Sequence, residues 1–182
     1  MKKFLLPALL MSAFLFGSCE KDKAIEKNEY GDGPHSEVPG VLSGNWMYGF
    51  FSMTEYWSQN PADYIGNAFE MAIAFRFNAN GTFDQYFTSK TVTGAVATYH
   101  QSLTKGTVVV NEADATITTY AKSAHYKQTK NGTTTEDRDL AENEITKITK
   151  YTYELRTENN GTRAIYLKLN GNGNALKFLQ KN

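Results

Sequence analysis

Residues 71 to 88 read MAIAFRFNANGTFDQYFT, and no other segment limits the available folds as sharply. Met71, Ile73, Phe75 and Phe77 fall on one side at a period of two, a spacing that a helix would scatter. The Asn78–Gly81 stretch then supplies the Asn/Gly chemistry of a hairpin turn, and TFDQYFTS returns as a second strand. The pattern continues. KGTVVV and ATITTYAKSAHYKQ flank a short link at Asn111–Asp114, and TKITKYTYELRT and RAIYLKLN flank Glu158–Gly161. Asn170–Gly173 leads into ALKFLQK. Ile165, Leu167 and Leu169 share one face, as do Leu176 and Phe178, and the Thr, Tyr, Val and Ile content suits strands.

Counted from NWMYGFFSMTEYW, the chain holds about eight strands, most joined to the next by short antiparallel links. Residues 58–69, with Asn60-Pro61 and one helical turn, form a longer connection. Residues 131–144, polar and acidic, form another, with a helical turn at Ala141-Glu142-Asn143. The expected fold is all-β, an antiparallel up-and-down barrel spanning 41–182, because closure of a meander removes exposed sheet edges.

The first forty residues are of a different kind. Met1, Lys2 and Lys3 precede an apolar run from Phe4 to Phe16, the layout of a signal peptide. As a helix that run is about 20 Å long, short of a hydrocarbon core of about 30 Å. Gly17 and Ser18 then lead to Cys19, the chain's single cysteine. This arrangement resembles a bacterial lipobox, in which the thiol is acylated and the chain is cut just before it. Residues 1–18 would be removed and Cys19 would become the lipid anchor. An ordinary secretory signal with an incidental cysteine is the other reading. Residues 20–40 are charged and carry few large apolar side chains, so they are expected to form a disordered tether. Their reach would be about 25 Å. Glu20, Lys21, Asp22 and Lys23 resemble the signals that send Bacteroidota lipoproteins to the cell-surface face of the outer membrane.

Loss of residues 1–18 leaves 17 basic and 19 acidic residues, a net charge of −2. No strong field would recruit nucleic acid or an anionic surface. His35, His100 and His125 are not at metal-binding spacing, and no metallohydrolase, serine-hydrolase or phosphate-loop motif occurs. Glu136–Glu144 is rich in acids without the alternation and glycine of a calcium loop, so it is read as solvated. No catalytic residue, metal or cofactor is indicated. Tyr56 and Trp57 are candidates for stacking on a glycan.

Gly44-Asn45-Trp46 opens the first strand as Gly-x-Trp, and FRFNANGTFDQYF has the strand-turn-strand form of bacterial lipocalin-like domains. On these residues, segment 41–182 resembles the lipocalin-like domains of Bacteroidota lipoproteins. The resemblance implies that Gly44 permits a tight start to the first strand, that Trp46 closes the barrel base, and that an arginine packs on the Trp, with Arg156 and Arg163 as candidates. It also implies a small apolar or amphipathic ligand reached through the opposite mouth, near residues 58–69. By alternation, Phe75, Phe77, Ile165 and Leu167 point inward and are the candidate ligand contacts. The competing function is a filled barrel whose outer surface binds a glycan or an envelope protein.

Overall fold

The computed structural model describes residues 28–65 and 71–181. Cys19 and the signal segment lie outside the described residues. The strands are β1 (Gly44–Tyr48), β2 (Met71–Phe77), β3 (Thr82–Thr93), β4 (Val96–Asn111), β5 (Thr116–Lys130), β6 (Thr133–Asp139), β7 (Ile148–Thr157), β8 (Arg163–Leu169) and β9 (Leu176–Lys181). One helical turn, α1 (Ala62–Ile65), falls where Asn60-Pro61 predicted it.

The strands form one antiparallel sheet in the order β4-β3-β2-β1-β9-β8-β7-β5-β6, and β4 also pairs with β5. Hydrogen bonding therefore runs in a closed ring through eight strands, with β6 outside it and paired to β5 alone. The ninth strand falls in the segment expected to be a loop. No face of β6 is apolar, so no alternation announces it; half-exposed Glu136 is its least exposed residue.

The ring is taller on one side. β3, β4 and β5 are 12, 16 and 15 residues long, against 5 to 10 for the other ring strands. β5 changes partner along its length. Thr116–Tyr120 pair with β7, and His125–Lys130 pair with β6. A register shift against β4 at Lys105/Gly106 marks the parting.

One face of every ring strand points inward. Trp46, Phe75, Phe77, Phe83, Val108, Ile117, Ile165, Leu167 and Phe178 are buried together, with Tyr151, Tyr153 and Leu155 packed against them. Phe75 stacks on Phe77 at 5.3 Å and meets the edge of Tyr151 at 5.7 Å. The opposite face of β1–β4 builds a second core. There Met47, Ala72, Ala74, Tyr86 and Tyr99 lie beneath Phe51 and Tyr56. The first strand was expected to continue through Trp57 but ends at Tyr48. Gly49, at φ 86°, turns the chain back over the sheet so closely that a Cβ there would come within 2.6 Å of the Ala72 Cβ.

The disordered tether needs correcting where it is described. Residues 28–40 are fastened to the ring. Tyr30 donates a hydrogen bond to Asp84 (3.1 Å), Thr107 to the Pro34 carbonyl (2.8 Å), and the Ser36 and Val38 amides to the Val108 and Ala79 carbonyls. Lys105 forms an ion pair with Glu29. Val38, 2% exposed, and Leu42, fully buried, then enter the inner core. The charges of this segment face solvent while its backbone and Val38 meet the ring, a division that local composition does not reveal.

Candidate functional site

The end of the ring where β1 begins is closed. Gly44 takes φ 116°, a conformation that favours glycine, and lets the chain bend directly from Leu42 into β1. Trp46 is fully buried, and its indole N–H donates to the Leu42 carbonyl at 2.7 Å. The Arg163 guanidinium lies 5.8 Å from the Trp46 ring centroid, within reach of a cation–π attraction, and donates to the Val41 carbonyl. Of the two candidate arginines, Arg163 therefore meets the tryptophan. Arg156 lies 4.4 Å over Tyr166 instead.

The opposite end opens into a cup of about 490 Å³. Its walls are Phe83, Gln85 and Phe87 of β3, Ser102 and Thr104 of β4, Thr119, Ala121 and Ala124 of β5, and Thr149 and Tyr151 of β7. The link between β6 and β7 adds Leu140, Glu144, Ile145 and Thr146, and Ile148, Leu169 and Asn170 complete the lining. The cup exists because β5 parts from β7 here and the 140–146 link spans the gap. The Ala121 amide donates to Lys147 and the Leu140 amide to Ala124, which fixes both ends of that link.

Phe75, Phe77, Ile165 and Leu167 do point inward as alternation predicts, but none lines the cup. They belong to the packed inner core, where Phe75 stacks on Phe77. The expected mouth also shifts. The chain from Gly49 to Ala62, which includes the first part of the 58–69 connection thought to border it, covers the outer face of β1–β4, and residues 66–70 lie outside the described residues. Tyr56 is 2% exposed, and its hydroxyl donates to the Phe87 carbonyl and accepts from the Ser102 amide, so it offers no stacking face to a glycan. Trp57 is packed edge-on against Tyr56 and His125.

Electrostatically the cup is quiet. Among the described residues Glu144 is the one lining residue with an ionisable carboxylate, and both its oxygens accept from Arg138 at 2.8 Å. Those bonds, and one from the Ala141 amide, hold its pKa down to about 2. Burial pushes the Tyr151 phenol up to about 12, so it stays neutral. The side chains of Gln85, Ser102, Thr104 and Thr149 find no hydrogen-bond partner among the described residues, leaving donors and acceptors free to face a guest. At the rim, Ile148 and Leu169 are 60% and 54% exposed. Sequence reasoning missed this collar. Its signal is the change along the inward face of β4, from Val110 and Val108 through Gly106 to Thr104 and Ser102.

The histidines act separately. His100 shares a 2.6 Å hydrogen bond with Tyr126 on the inner face. His125 lies on the outer face between Asp137 (2.8 Å) and Asp139 (2.9 Å). Burial lowers its pKa, but the bonds to Asp139 and Asp137 outweigh that and hold it above the usual histidine value. His35, near the N-terminal segment, contacts the Gly33 carbonyl. Among the described residues no group of three or more His, Cys, Asp or Glu is placed to hold a metal ion. A second depression of about 470 Å³ is lined by the charged or titratable residues Glu29, Lys105, Lys122, His125, Asp139 and Glu142 together with Leu103, Leu140 and Ile145.

No family model matches the chain, and no curated protein or solved structure matches it. The functional reading therefore rests on the geometry of the ring and its cup.

Proposed function

We propose that the chain is a non-catalytic binding lipoprotein whose ring of strands is a lipocalin-like up-and-down barrel holding one small apolar or amphipathic molecule. The observation that carries this reading is the contrast between the two ends. One is sealed by Val38, Leu42, Trp46 and Arg163, and the other opens into a cup with exposed apolar groups at its rim. Its volume falls within the range of about 300–1,000 Å³ usual for small-molecule sites. Exposed Ile148 and Leu169 cost free energy in water that a ligand's apolar surface would recover.

A neutral apolar fluorophore such as Nile red, titrated onto the purified protein, should brighten and saturate at about one probe per chain. Thr104→Trp puts an indole into the cup and should weaken uptake about tenfold or more while the protein still melts cooperatively. Absence of saturable uptake by the wild type would favour the alternative, a filled barrel that presents its outside to a glycan or an envelope protein.

Anchoring belongs to the same proposal. Acylated at Cys19, the protein would sit on the outer membrane, its barrel facing the cell surface. Labelled fatty acid fed to the native host should enter the wild type and not Cys19→Ala. A mature N-terminus several residues beyond Cys19, without acyl mass, would overturn the anchor.

A further inference from the structure

We infer that the cup selects amphiphiles with an uncharged, hydrogen-bonding headgroup, such as an alcohol or a monoglyceride, over anionic amphiphiles with the same chain. This rests on reading the cup as a binding site.

The first support is the order of surfaces along the cup. Buried Thr119 and half-buried Gln85, Thr104 and Thr149 line its wall beside Phe83, Phe87 and Tyr151, while the exposed apolar residues Ile148 and Leu169 stand at its rim with Glu144, Thr146 and Asn170. A guest whose headgroup reaches Gln85, Thr104 and Thr149 rests its tail against the aromatic wall and the apolar rim residues. The free amide of Gln85 and the hydroxyls of Thr104 and Thr149 supply donors and acceptors to an alcohol, which is then hydrogen-bonded inside as it was in water.

The second support is what the wall lacks. Among the described residues no Lys or Arg lines the cup, and the one carboxylate there, Glu144, is already matched. Arg138 is no free cation either. It donates through Nε to Glu136 and through both terminal nitrogens to Glu144, so its charge is already taken up by carboxylates of the protein. An anionic headgroup entering first would lose its water without gaining a cation. Were the headgroup to stay outside, in water, the cup would barely distinguish a carboxylate from an alcohol.

Competition against bound Nile red on the full chain tests the inference, with 1-decanol and decanoate as competitors near neutral pH, where a fatty carboxylate is ionised. Decanol should displace the probe at a concentration at least about tenfold below that of decanoate. Thr104→Lys, which places a cation on the inner wall, should narrow or reverse that gap. Equal displacement, or tighter binding of decanoate to the wild type, would overturn the inference and leave the binding reading standing. So would failure of both competitors against a bound probe. If Nile red itself is not taken up, the binding reading falls and the inference with it.

Discussion

A chain beginning at Val41 should melt about 10 °C below one beginning at Glu20. The missing residues include Val38, whose side chain helps close the ring beside Leu42 and Phe77. Removing a buried Val costs about 1.5–3 kcal/mol. Opening the apolar end beneath it adds to that, and the hydrogen bonds of Tyr30, Pro34 and Ser36 to the ring are lost as well. Ordering of the segment offsets part of the gain, so a net loss near 3 kcal/mol is expected. For a domain of this size each kcal/mol moves the melting temperature by about 2–4 °C. Equal melting of the two would mean that the segment contributes nothing to stability.

Trp46→Ala should cost about 3–5 kcal/mol, the usual range for deleting a large buried aromatic side chain. Trp46 is fully buried at the centre of the closed end, its N–H satisfies the Leu42 carbonyl, and Arg163 lies over its ring. Against a typical domain stability of about 5–15 kcal/mol, that loss leaves the fold marginal. Denaturant unfolding should show the change in the midpoint, and Trp46→Phe, which keeps most of the apolar volume, should recover more than half of it. A loss below about 1 kcal/mol for Trp46→Ala would place Trp46 outside the structural base of the ring.

Much of the strand framework was legible in the residues themselves. Phe75 and Phe77 alternate with Ala74 and Arg76, and Asn78–Gly81 allow little but a turn, so β2 and β3 declare themselves. Four features did not. β6 reads as a charged loop because a strand paired on one side and solvated on both faces needs no apolar alternation. The end of β1 at Tyr48 depends on Gly49 packing against Ala72, a contact made only once β1 and β2 are paired.

The cup itself was the hardest to foresee. Alternation identifies which side chains face the interior, and it did so correctly for Phe75, Phe77, Ile165 and Leu167. It does not say whether facing chains from eight strands meet or leave a gap. That depends on β5 exchanging β7 for β6 and on the Arg138–Glu144 clasp holding the link across the opening. The burial of residues 28–40 is likewise decided by an open ring end waiting for Val38, not by the composition of the segment.

Methyl-resolved NMR of the labelled protein, recorded while 1-decanol is added to saturation, tests the central claim most directly. Signals from Thr104, Thr119, Ala121, Ile148 and Leu169, around the cup, should move together along one saturable curve. Those of Val38, Leu42, Ile165 and Leu167, packed in the closed half, should hardly change. Shifts confined to the outer face, or no shifts in the cup while other sites saturate, would contradict the account.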